Sequence, residues 1–205
     1  MSQIIRSRNP DEPKIMPNGE PIIFSEGRIG AIVKFPVLVD EGEGYVEKTF
    51  EKFVRSPGTR IIAVRDNTIY LQKEARMEQN GAFDWRLPGG KVVDTFEEYK
   101  QYFGREIPVE TILTAAKKEL KEEAQMEAQE VILLNKKTCG ATVEWDLYYV
   151  VAKGLSTVSH EHNEGEQIEE GKWFTFEEVK KMCETGEIDE GRTVSVLLQY
   201  ISKQG

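Results

Sequence analysis

The run Lys118-Glu119-Leu120-Lys121-Glu122-Glu123 carries the chain's most suggestive chemistry. On a helical wheel at about 100° per residue, Ile112, Leu113, Ala116, Leu120 and Ala124 form an apolar stripe. Glu123 falls about 40° from Glu119, and Ile112 about 20°, so carboxylates sit at the edge of the buried face. Glu122 falls on the other side of Glu119. The spacing i, i+3, i+4 brings the three toward one edge. Crowded carboxylates repel one another, and burial raises their pKa. A hard divalent cation with oxygen ligands relieves both costs. The same residues, flanked by Lys117, Lys118 and Lys121, also describe a solvated charged face. The helix alone does not separate these readings.

A second segment bears on the choice. Leu87-Pro88-Gly89-Gly90 follows an aromatic strand and precedes the helix. Consecutive glycines allow a sharp turn and a close backbone approach to a phosphate or metal. A free carbonyl there offers one more hard oxygen.

The elements that must position these groups follow from pattern. Residues 1–18 read as a loosely ordered start, rich in turn residues such as Asn9-Pro10 and Pro17-Asn18-Gly19. Strand-like runs follow at 31–39 and 45–54. Pro36 cannot donate to a ladder, so the first run is expected to be an edge strand or broken there. The pair 60–64 and 68–72 reads as a hairpin about Asp66-Asn67. A strand at 83–92, a polar and aromatic stretch at 95–109, a helix at about 111–125 and strands at 130–137 and 143–152 come next. An acidic loop, Glu161 to Glu170, leads to Trp173-Phe174. Thr175-Phe176-Glu177-Glu178 is a capping box, Gly186 stops that helix, and 193–201 is a last apolar helix. Strands mixed with intervening helices specify an α+β fold or a helix–sheet–helix sandwich.

Bulk properties narrow the class. The chain has 205 residues, 39% hydrophobic and 31% charged, with net charge -9. An acidic surface repels a long phosphate backbone, so non-specific nucleic-acid binding is not expected. A small phosphorylated ligand remains compatible, because a bound cation reverses the local field. Two cysteines, Cys139 and Cys183, are too few for a disulfide scaffold. The first residues lack a signal-peptide core, and no run reaches the roughly 18 apolar residues of a membrane span. A cytoplasmic protein is expected.

Taken together, Gly90, Glu110 and Lys118 to Met126 resemble the Nudix box. That pattern is Gly, five residues, Glu, seven residues, then Arg-Glu-aliphatic-any-Glu-Glu-any-Gly-aliphatic. Trp85-Arg86-Leu87-Pro88-Gly89 looks like the family's leading strand. There are three departures. Residues 91 to 109 place 19 residues where the pattern has five. Lys118 replaces Arg and loses a bidentate partner for a carboxylate such as Glu110. Gln125 replaces Gly, so the helix closes differently. None removes a carboxylate. The insertion falls in a loop and can bulge outward, and Thr111 is expected to cap the helix beyond it.

The order of elements after the box is similar to the branch that cleaves ADP-ribose and nucleoside diphosphate sugars. The resemblance implies an α+β fold, a Nudix-type α/β/α sandwich with a mixed sheet, preceded by a small N-terminal antiparallel β region. The chain divides into a flexible N-terminus over 1–18, a β region over 19–56 that reads equally as a dimerisation element, as in that branch, or as a small antiparallel sheet with no function, and a catalytic domain over 57–205 with an insertion at about 95–108. The implied reaction is metal-dependent hydrolysis of a pyrophosphate bond in a small nucleotide substrate. Mg2+ or Mn2+ would be held by Glu119 and Glu123, with Glu122 and the Gly89 carbonyl contributing. The base would come from the acidic loop at Glu164 or Glu166, with Glu122 a further catalytic candidate. Glu166 also suits a metal, and both loop residues also read as solvated charge. Glu110 and Lys118 would be structural members of the box. Arg76, Trp85 and Gly90 are candidates for substrate contact, though Arg76 equally reads as a surface arginine. Trp85, Phe83 and Tyr45 suit a base or a core. His160 and His162 are expected to be surface residues, being two potential zinc ligands without a third. Two alternatives stay open: another Nudix pyrophosphohydrolase, for nucleotide house-cleaning or RNA 5′ ends, and a non-catalytic ligand-binding module on the same fold.

Overall fold

A computed structural model of the chain describes residues 3–75, 80–158 and 168–204, with the backbone alone at 168 and 169. In chain order the elements are β1 (Arg6–Ser7), β2 (Ile15–Pro17), β3 (Ile22–Glu26), β4 (Gly30–Asp40), β5 (Gly44–Arg55), β6 (Gly58–Arg65), β7 (Thr68–Ala75), β8 (Phe83–Arg86), α1 (Phe96–Lys100), α2 (Val109–Ala124), β9 (Met126–Lys137), β10 (Val143–Glu144), β11 (Leu147–Thr157), β12 (Ile168–Thr175), α3 (Phe176–Thr185) and α4 (Gly191–Ile201). They form two compact units.

The first unit comprises residues up to Ser56 together with Asp94–Arg105 and Thr138–Trp145. Its sheet runs β1-β5-β4-β2, with β3 also on β4 and β10 on β5. Within the stretch expected to be loosely ordered, Arg6–Ser7 and Ile15–Pro17 are paired strands. β4 is not an edge strand: it pairs with β5 along its whole length. On its other side β3 covers 31–34 and β2 covers 37–39. Pro36 falls in the interval between them, where a missing N–H breaks no ladder. The run expected as one strand at 143–152 is two, because β10 joins this unit and β11 the other. The 95–108 stretch supplies α1, capped by Thr95 Oγ1 on the Glu98 amide at 3.1 Å. Phe96 and Tyr99 each pack edge-to-face on Phe103, and Lys100 pairs with Glu26 at 2.9 Å.

The second unit, Pro57–Val93, Glu106–Lys137 and Asp146 onward, holds a mixed sheet in the order β12-β7-β6-β11-β9, with β8 on β7. β6 and β11 are parallel and their other neighbours antiparallel. Both strands begin with six consecutive buried residues. A strand buried on both sides must be covered on both faces. α2 lies against β9, β6 and β11, while α3 packs on α4, β12 and β7. Asp66 and Asn67 take positive φ at the β6–β7 turn, as a two-residue hairpin requires. Thr175 and Glu178 form the expected capping box, and Gly186 closes α3 in the left-handed region.

α2 starts two residues earlier than expected. Pro108 occupies the N-cap, and Thr111 lies inside the first turn. A proline needs no partner for a missing N–H at that position. At the other end Gln125 takes φ 53 and ψ 40, the left-handed conformation that glycine adopts freely. Gln125→Gly should therefore raise stability by about 1 kcal/mol. Urea denaturation checks this, and an unchanged or lower midpoint would contradict it.

Candidate active site

The site is built where α2 meets the turn after β8. The apolar stripe of α2 is buried at Ile112, Ala116, Leu120 and Ala124. That burial fixes how the helix is rolled, and it carries Glu119 and Glu123 to the sheet side. The turn itself is pinned to the start of β6. Ile61 donates its amide to the Pro88 carbonyl at 2.9 Å, and Thr59 donates to the Gly90 carbonyl at 2.8 Å.

Gly89 is obligatory there, and Gly90 leaves room for a side chain from α2. Gly89 has φ +150, and a side chain on it would run into the Thr59 carbonyl. A side chain on Gly90 would occupy the space taken by the Glu119 carboxylate. The close backbone approach expected of Gly89-Gly90 is thus an approach to the helix carboxylates. Glu123 is 8% exposed. Its Oε2 accepts the Gly89 amide at 2.7 Å and the Gln72 side-chain amide at 2.9 Å. Charge-assisted bonds of this kind are what a buried carboxylate needs. Gln72, at 1% exposed, comes from the middle of β7, and its own Oε1 has no partner among the described residues. Nearby Tyr70 has its phenol pushed up, first by burial and then by the Glu123 charge.

The other side of the turn carries a second buried polar set. Arg60, from β6, pairs through Nε with Glu190 at 3.3 Å. Its Nη1 donates to the Thr59 carbonyl at 3.0 Å and lies 3.4 Å from the Gly89 carbonyl. Glu190 also accepts the Thr193 hydroxyl at 2.8 Å and pairs with Arg192 at 3.1 Å. Burial opposes ionisation of Glu190, but Arg60, Thr193 and Arg192 outweigh it and hold the carboxyl below its usual range. Tyr149 shares a 3.1 Å bond with Thr193, and burial pushes its phenol up to about 12. Asp84 on β8 pairs with Arg86 at 2.8 Å, and burial pushes its carboxyl up against that pull.

The residues expected at the site are placed unequally. Glu119 and Glu123 reach the turn, while Glu122 is half-buried on an adjoining face of α2. The three do not converge as the helical spacing suggested. Glu122 and Glu123 are separated by about 100° around the helix. Among the described residues no three acidic, histidine or cysteine side chains come together as a metal cluster. Glu110 and Lys118 are exposed on α2. Trp85 is half-buried with its ring edge-to-face on Phe174, 4.9 Å between centroids. Tyr45 is fully buried in the first unit and Phe83 is 47% exposed. Arg76, Glu164, Glu166, His160 and His162 lie outside the described residues. Sequence reasoning missed Gln72, Arg60 and Glu190. For Gln72 and Arg60 the usable signal was a polar residue inside an apolar strand, since such groups are buried only when bonded.

The donors at hand are carboxylate and carbonyl oxygens: Glu119, Glu123 and the Gly89 backbone. That set suits a hard divalent cation. The packing of Glu119 directly on Gly90 shows that the turn is shaped to receive a carboxylate there.

No curated protein matches the chain. Among solved structures 147 chains do. One is the crystal structure of an ADP compounds hydrolase, with a TM-score of 0.67 and 20% identity over 97% of this chain and 99% of that one. At that identity the likeness speaks for the fold. No helix among the described residues is long and apolar enough to cross a membrane. The NUDIX domain model matches residues 54–195, well over half the chain and the whole of the carboxylate helix with its glycine turn. The chain therefore belongs to the Nudix domain family and is a hydrolase of pyrophosphate bonds.

Proposed function

We propose that this hydrolase acts on a nucleoside diphosphate linked to a further group, ADP-ribose or a nucleoside diphosphate sugar, with Mg2+ or Mn2+. The observation that carries the reading is the Gly89 amide bonded to Glu123 at 2.7 Å while Glu119 packs on Gly90. It puts both carboxylates against the glycine turn. The solved structure of similar fold, an ADP compounds hydrolase, supports the substrate class. The net charge of -9 favours a small nucleotide over an RNA end.

When bound, the cation neutralises the diphosphate and lowers the pKa of its water. Glu119 and Glu123 hold it, and Glu122 adds charge from the adjoining face. Glu164 or Glu166 would take the proton of the attacking water, as a positioned carboxylate can. Arg76 and Trp85 hold the substrate, the first by pairing with phosphate. The protein works in the cytoplasm, where its two unpaired cysteines stay reduced. It works as a homodimer through the first unit, where Ile22, Phe24 and Ile29 are each more than half exposed.

Glu123→Gln should lower the rate of phosphate release from ADP-ribose by roughly 100-fold or more, beyond what loss of a ligand's supporting group costs. A phosphatase-coupled assay over a panel of sugar diphosphates and dinucleotides reads this. Turnover of none of them, or a near wild-type rate for the variant, would refute the reading. Sedimentation equilibrium should give twice the chain mass. Phe24→Lys should shift it toward the monomer, and a wild-type monomer would contradict the dimer.

A further inference from the structure

Arg60 has no part in the mechanism above, yet its guanidinium lies 3.4 Å from the Gly89 carbonyl. It is 6% exposed. A buried guanidinium is costly, and an apolar side chain of similar volume usually serves stability as well or better. Stability alone therefore does not explain an arginine here. Its contacts are specific in direction. One end pairs with Glu190 at the start of α4, and Nη1 points between the carbonyls of Thr59 and Gly89.

Backbone amides of β6 hold the carbonyls of Pro88 and Gly90 on either side of Gly89. Its N–H is held by Glu123 at 2.7 Å, and its carbonyl by Arg60 at 3.4 Å. A carbonyl oxygen has two lone pairs, so engaging one from behind leaves the second for a ligand in front. A cation facing that carbonyl would be repelled by an uncompensated guanidinium. Glu190, with Thr193 and Tyr149 behind it, supplies the compensating charge.

We propose that Arg60 is a positioning residue that orients the Gly89 carbonyl toward the divalent cation, and that Glu190 neutralises it so the cation is not repelled. This rests on the pyrophosphatase reading and adds a determinant of metal affinity to it. Outer-shell groups of this kind change metal affinity by about 10- to 100-fold. Lysine does not replace the arginine, because a single ammonium cannot span Glu190 and two carbonyls.

The test is Mn2+ binding to the whole chain without substrate, followed by electron paramagnetic resonance of the free ion, alongside thermal melting. Arg60→Met should melt within a few degrees of wild type while its Mn2+ affinity falls at least about tenfold. The rate at saturating Mn2+ should largely recover. Arg60→Lys should bind as weakly as Arg60→Met. Glu190→Gln should weaken Mn2+ binding in the same direction. If Arg60→Met fails to fold, Arg60→Gln carries the test with the same expected loss. Unchanged Mn2+ affinity in a folded variant overturns the proposal while leaving the pyrophosphatase reading intact. Wild-type protein whose Mn2+ binding is insensitive to Glu123→Gln overturns both.

Discussion

The bond from the Gly89 amide to the Glu123 carboxylate, 2.7 Å long, ties the helix layer to the sheet layer of the second unit. A hydrogen bond to a charged group is worth about 1.5–3 kcal/mol. An unpaired buried carboxylate costs several kcal/mol. With the Gly89 and Gln72 donors in place the Glu123 carboxylate is fixed. Without them the end of α2 would carry a charge it could not bury. Several features serve this one contact. The apolar stripe of α2 sets its roll, the Gly89 φ of +150 turns the amide toward the helix, and Gly90 leaves room for Glu119.

The same turn is gripped from the sheet side. Backbone bonds from Thr59 and Ile61 hold the carbonyls of Gly90 and Pro88 along the start of β6. The stretch before α4 then braces this region. Ile188 is buried, Glu187 takes the Trp85 amide at 3.4 Å, and Glu190 reaches Arg60. The start of α4 thus ties Arg60 and Arg192 to one carboxylate, that of Glu190. A site held on rigid elements from both sides is suited to a reaction that depends on placing a cation and a water accurately.

Much of this was legible from local pattern. The roll of α2, the Gly-Gly turn, the Asp66-Asn67 hairpin and the capping box of α3 each depend on residues within a few positions of one another. Failures came where an outcome depended on a distant neighbour. Pro36 reads as a strand breaker until β2 and β3 are seen to leave its side open. Thr111 reads as a cap, but Pro108 already presets the backbone for the helix start. The strand across 143–152 divides because its two ends join different sheets. Gln72 and Glu123 are 51 positions apart, and Arg60 and Glu190 are 130 apart. Nothing in either local sequence announces such a partner. The convergence assigned to Glu122 failed for another reason: i+3 and i+4 lie on opposite sides of the helix axis line through Glu119.

The central claim is that the carboxylates on α2 and the glycine turn form one cation site for pyrophosphate hydrolysis. The most direct measurement is the anomalous difference density of Mn2+ in crystals grown with a non-hydrolysable nucleoside diphosphate sugar. The account predicts a peak bonded to Glu119 and Glu123, at about 2.1 Å as for other small hard cations, with the diphosphate oxygens on its far side. Manganese and diphosphate bound together elsewhere, with Glu119 and Glu123 uninvolved, would contradict it.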